Sequence, residues 1–132
     1  MTRVWVHEYE RECCGGEPFR VGDYVDWLVK PVTRNDWLER LFHGTRVAVD
    51  LSYGGDHGVD GEPPSSRVLG LVERIEEVHS RMLRTPIDAF ADEIFIAEGT
   101  AIREPLTRAD WYPKTRQAPD VEFVGYLVQL TP

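Results

Sequence analysis

Val47, Val49, Leu51 and Tyr53 alternate with Arg46, Ala48, Asp50 and Ser52. That period of two belongs to a strand with one buried face, and a helix of 3.6 residues per turn cannot use it. The spacing predicts a strand over 45–53, and related patterns recur along the chain. Over 21–29, Val21, Val25, Trp27 and Val29 share one face, with Asp23 where the strand begins. Over 3–11, Trp5, His7 and Tyr9 line one face while Val4, Val6, Glu8 and Glu10 line the other. Residues 121–130 are dense in β-branched and aromatic side chains, and 93–105 reads as a hairpin turning at Gly99-Thr100, where Gly leads a two-residue loop. Valine, with fifteen copies against ten Leu and seven Ala, supports the same tilt toward sheet.

Helical signals are shorter. Residues 35–43 put Trp37, Leu38, Leu41 and Phe42 on one stripe, and Gly44 follows as a stop. Thr85-Pro86-Ile87-Asp88 and Thr107-Arg108-Ala109-Asp110 each match a Thr-x-x-acid cap, in which the hydroxyl bonds a free N–H and the carboxylate meets the positive helix end. Residues 66–84 permit two readings. Leu71, Ile75, Val78 and Met82 form one helical stripe, whereas Gly70 and the Val and Ile content favour a long strand that kinks at the glycine. The fold expected is mainly β: a small barrel or curled antiparallel sheet of about five to six strands with about two to three short helical inserts. The alternative is α+β with a helix at 66–84. Val25, Trp27, Val47, Val49, Leu51, Phe123 and Leu127 are the expected core. A chain of 132 residues buries roughly two-thirds of its unfolded surface, enough for one core without staples, so 1–132 is read as a single domain.

Fifteen basic residues against twenty-three acidic ones give a net charge of −8. Such a field repels nucleic acid and anionic membrane, both of which need a basic face. No apolar run approaches the ~18 residues of a membrane helix, and Met1-Thr2-Arg3-Val4-Trp5-Val6-His7-Glu8 turns polar too early for a signal peptide. The cytoplasm is the expected compartment, and the use of thirteen Arg to two Lys points to a bacterial source. Residues 54–66 form a long acidic, Gly- and Pro-rich connection. Asp56, His57, Asp60 and Glu62 there miss the calcium-loop spacing, so a solvated loop is expected. Phosphate-loop, dinucleotide, zinc-protease and esterase motifs are missing from the sequence.

Cys13-Cys14-Gly15-Gly16 follows the first strand at a tight reversal. Three readings compete there: a reduced structural pair, a zinc site completed by His7 or by His43, His57 or His79, and a reactive thiol. Zinc needs four ligands, and adjacent cysteines lack the usual two-residue gap. A reactive thiol needs a lowered pKa, whereas Glu12 and Glu17 would raise it. Cys13-Cys14-Gly15, Pro18-Phe19, Val21-Gly22-Asp23 and Trp27 together resemble the signature of a small bacterial family known only as a domain of unknown function. That resemblance covers residues 4–30 and implies no activity. It does imply that the Cys-Cys turn and the Val-Gly-Asp segment form one structural unit.

Two classes of function follow. The first is a non-catalytic binding or regulatory module, needing no cofactor, that takes a protein or a small cationic ligand. The aromatic residues Trp5, Tyr9, Tyr24, Trp111 and Tyr112 lie near expected strand ends or turns, with Glu10, Asp26 and Asp110 beside them in sequence. Ring faces and carboxylates both attract cations. The second is a small zinc protein or enzyme using Cys13, Cys14 and a histidine such as His7.

Overall fold

The computed structural model describes residues 2–7, 18–32, 36–44, 47–53, 66–89, 92–109 and 120–132. In chain order the elements are β1 (Thr2–His7), β2 (Phe19–Arg20), β3 (Tyr24–Pro31), α1 (Asp36–Leu41), β4 (Leu51–Tyr53), β5 (Ser66–Pro86), β6 (Asp92–Ile96), β7 (Ile102–Leu106), β8 (Arg108–Ala109) and β9 (Val121–Thr131). The protein is mainly β, as its period-two patterns predict. Hydrogen bonding runs β3-β4-β1-β9-β5, and β3 also pairs with β5, so these five strands close into a ring. Closure leaves no free edge between them. The ring is mixed and not purely antiparallel: β1 and β4 run parallel, with Val4, Trp5 and Val6 opposite Leu51, Ser52 and Tyr53.

Residues 66–84 are strand, and β5 extends over 21 residues. It joins β3 at Ser66–Leu71, β9 at Leu71–Arg81, β7 at Ile75–His79 and β6 at Met82–Pro86. The apparent helical stripe is divided among different surroundings. Ile75 enters the barrel interior, Val78 and Met82 pack on the outside, and Leu71 is exposed. Register shifts help create this spacing: Glu73 is the extra residue between Val72 and Arg74, and Val124 the extra one on β9 opposite Val78 and His79. Bulges of this kind bend a strand and increase its twist.

Both faces of the central strands are buried. Val4, Val6, Trp27, Val29, Val72, Ile75, Tyr126, Val128 and Leu130 fill the barrel. Trp5, Val78, Val124 and Leu127 point outward, where Leu38, Leu41 and Phe42 of the α1 segment cover them. The α1 stripe forms as its sequence predicts, and Gly44 ends it at φ +79°, a conformation that suits glycine. At one end of the barrel, β2 and β8 form a short ladder that brings Phe19 and Ala109 into the interior. Phe19 meets Trp27 and Tyr126 edge-on, with ring centroids 5.0 and 5.9 Å apart.

Gly125 is fixed by close packing. A Cβ there would strike the Val6 carbonyl oxygen and stand 2.7 Å from Trp5 Cζ2, and its φ is +156°. The indole of Trp5 therefore lies over a bare backbone, an aromatic cover for a glycine on a neighbouring strand.

Several local expectations need correction. Of the described residues 47–53 of the 45–53 segment, only Leu51–Tyr53 is strand. Val47 and Val49 pack with the outer cluster, while Leu51 and Tyr53 pack with the barrel interior. The predicted core residues divide accordingly: Trp27 and Leu127 are buried, and Val25, Leu51, Phe123, Val47 and Val49 are partly buried. Gly99-Thr100 does not join a two-stranded hairpin. β6 and β7 both pair with β5, so 92–106 returns along it as one interrupted strand. The interruption lies between the Met82–Ile96 and His79–Ile102 pairs, where Thr100 Oγ1 donates to Ala97 O at 2.7 Å and accepts from Arg81 N at 3.1 Å. Neither Thr-x-x-acid tetrapeptide starts a helix: Thr85 and Pro86 end β5, and Arg108–Ala109 is β8. In both places, ladder pairing to β6 or β2 satisfies the backbone that a cap would have served.

Candidate functional site

Among the described residues, Tyr24 and Asp26 are the two expected ligand-binding residues that the fold brings together on an open surface. Alternation along β3 sends Val25, Trp27 and Val29 inward, so Tyr24, Asp26 and Leu28 face outward. Across the ladder they meet Leu71, Leu69 and Arg67, respectively. Tyr24 is 66%, Leu69 58%, Leu28 48% and Leu71 36% exposed. Isolated exposed apolar side chains are ordinary, but four on adjoining strands make a continuous apolar face. Val21, also exposed, sits in the turn just before β3.

One ion pair crosses this face. Arg67 Nη2 lies 3.0 Å from Asp26 Oδ2, and its Nε donates to Asp26 Oδ1 at 3.1 Å. The two contacts form a planar fork, the preferred geometry between a guanidinium and a carboxylate. Both side chains remain solvent-exposed, so the pair adds little stability and can exchange partners. The face thus combines leucine side chains, a phenol ring and a carboxylate that already holds a guanidinium.

Trp5 is elsewhere. At 2% exposure it lies in the outer core, 5.7 Å from Trp37 and 5.8 Å from Phe42 between ring centroids. Its position on a central strand with both faces covered removes it from the surface. Tyr9, Glu10, Asp110, Trp111, Tyr112, Cys13 and Cys14 lie outside the described residues. His7, the histidine proposed beside the cysteines, packs its ring 5.0 Å from that of Trp37, and burial pushes its pKa below the ordinary value. Among the described residues, no group of three or more His, Cys, Asp or Glu is placed to hold a metal ion. No helix among them is long and apolar enough to cross a membrane.

A second polar cluster escaped the sequence reading. On a strand, Glu77 and His79 are two residues apart and therefore share a face. Glu77 Oε1 lies 3.3 Å from His79 Nε2, and both side chains are buried. Burial lowers the His79 pKa, while the Glu104 carboxylate opposes that shift. With Nε2–H donating to Glu77, Nδ1 presents a buried lone pair without a hydrogen-bond partner. The imidazole is only 2% exposed and meets the ring of Phe123 at 5.8 Å. A general base must reach the proton it removes, and this pair is enclosed, its side chains buried. Its signal was the i, i+2 spacing, which becomes informative only once 66–84 is known to be strand.

A family model, described as a family of unknown function (DUF6578), matches residues 1–132. No match was found among the curated proteins or the solved structures.

Proposed function

We propose that this chain, which belongs to the family of unknown function DUF6578, is a non-catalytic binding module of the bacterial cytoplasm that docks a protein segment on the outer face of β3 and β5. The observation that carries this reading is the exposed set Tyr24, Leu28, Leu69 and Leu71 on two paired strands. Burying such side chains against a partner contributes about 25 cal/mol per Å² of apolar area. The breadth of the face favours a protein segment over a small ligand.

The partner is one that carries leucine-like side chains together with Arg or Lys. The net charge of −8 draws cations toward the protein. Tyr24 offers a ring face, where a cation gains about 0.5–2 kcal/mol. Asp26 can exchange the exposed Arg67 for an incoming guanidinium of the same geometry.

Fluorescence anisotropy with labelled peptides tests this reading. At low salt, a peptide of alternating Leu and Arg binds, and its Leu/Glu counterpart does not. Affinity falls as salt rises to about 0.3 M because the Debye length shortens. Leu69→Glu, at an exposed position that the fold does not need, removes binding. Equal binding of the Leu/Glu peptide, tight binding of a short DNA duplex, or indifference to Leu69→Glu overturns the proposal.

A further inference from the structure

The ladder between β2 and β8 creates a second site of opposite charge. Phe19 pairs with Ala109 and faces the core, so Arg20 and Arg108, paired at the next position, face outward together. Directly opposed side chains in an antiparallel ladder have Cβ atoms about 4.5–5.5 Å apart, and like charges in that arrangement repel. These two arginines line a cleft of about 270 Å³ with Pro18, Phe19 and Asp23.

Asp23 offsets only part of the positive charge. Its Oδ2 accepts from the Arg20 backbone N at 3.0 Å, and its Oδ1 lies 3.6 Å from Arg20 Nε. The carboxylate thereby fixes the turn and holds the Arg20 guanidinium beside the cleft. Arg108 makes no ion pair among the described residues, whereas Arg67, Arg74, Arg81, Arg84 and Arg103 all do. Among the described residues, a guanidinium with no carboxylate beside it thus faces another across the ladder, and like charges so opposed repel.

We propose that this cleft binds a small organic carboxylate, its oxygens held by Arg20 and Arg108 and its apolar body against Phe19 and Pro18. Among the described residues that line it, two guanidiniums and one aspartate leave a single positive charge, which matches a monoanion. A planar carboxylate fits the guanidinium fork. The acidic field of the whole chain acts twice as strongly against a dianion as against a monoanion. This site is independent of the β3–β5 face and does not require that face to bind anything.

Titration of the full chain with benzoate, followed by the ¹⁵N–¹H signals of the arginine Nε–H groups, tests the inference. Benzoate moves the Arg20 and Arg108 signals saturably, with half-saturation at about millimolar concentration, the range of weak small-ligand complexes. Arg108→Gln and Arg20→Gln each weaken this response at least about tenfold, equivalent to losing one charge-assisted contact, and the amide spectrum elsewhere reports that both variants remain folded. Inorganic phosphate in a parallel titration gives no saturable shift. The absence of a saturable benzoate response overturns the proposal, as does an unchanged response in either variant. Tighter binding of phosphate than benzoate overturns the assignment to a carboxylate.

Discussion

Replacing Gly125 with alanine tests the packing that joins the barrel to its helical cover. The added Cβ would meet the Val6 carbonyl oxygen and come within 2.7 Å of Trp5 Cζ2. The obstruction is rigid on both sides: Val6 lies in the β1–β9 ladder, and Trp5 is wedged against Trp37 and Phe42. Overpacking of a well-filled core costs about 1–3 kcal/mol. A side chain at φ +156° adds backbone strain on the order of 1–3 kcal/mol. Partial relaxation of β9 gives an expected loss of about 3 kcal/mol. Gly70→Ala provides the control: its Cβ would stand 3.1 Å from Leu130 Cβ and from Thr131 O, so about 1 kcal/mol is expected. Urea unfolding followed by tryptophan emission measures both losses. A Gly125→Ala loss below that of Gly70→Ala, with unchanged native emission, would refute the view that Trp5 needs a bare backbone beneath it.

Stability should also depend on pH through the buried histidines. His7 and His79 have pKa values lowered on folding, so the unfolded chain binds protons first as pH falls. Their contribution is complete above the unfolded pKa of about 6.5 and declines as pH drops toward the folded values, by at most about 1.4 kcal/mol per pH unit for each proton. Urea midpoints between pH 7.5 and 5 should show the decline, and His79→Gln should reduce its slope; a flat profile, or the same slope in the variant, contradicts this account. Thr100→Val removes a hydroxyl that bonds Ala97 O, Arg81 N and Ser80 Oγ. A loss of about 1–3 kcal/mol is expected in thermal unfolding, and a neutral effect would show that the interruption between β6 and β7 holds without it. Trp27→Ala empties a site between Phe19 and Tyr53, with ring centroids at 5.0 and 4.7 Å; a loss of about 3–5 kcal/mol is expected from chemical denaturation, and less than 1 kcal/mol would contradict its placement in the barrel core.

The β class was legible because Val25–Val29 and Val121–Leu130 carry side-chain patterns that survive in the fold, although Val21, read on the same face as Val25, sits exposed in the turn before β3. The α1 stripe and the stop at Gly44 were legible because both are local. Partner identity was less accessible. Val47, Val49, Leu51 and Tyr53 look like one buried face, yet they serve two clusters because the covering α1 segment buries the outside of the barrel as well. The same two-sided burial, with a bulge at Glu73, gave 66–84 its helical appearance. Gly99-Thr100 carried a turn signal, but the return strand pairs with β5 across it. At the candidate docking face, Tyr24 and Asp26 were visible from local charge and aromaticity. Leu69 and Arg67 were not associated with them, because pairing between distant segments does not appear in either segment alone. Arg20 and Arg108, 88 residues apart, are united only by the β2–β8 ladder.

The most direct test of the docking proposal is a map of backbone amide shifts as the Leu/Arg peptide is added to isotope-labelled protein. The account predicts saturable shifts concentrated in Tyr24–Leu28 of β3 and Arg67–Leu71 of β5, with the α1 side of the barrel unchanged. Shifts concentrated on that other side, or no saturable shift along the β3–β5 pair, would contradict it.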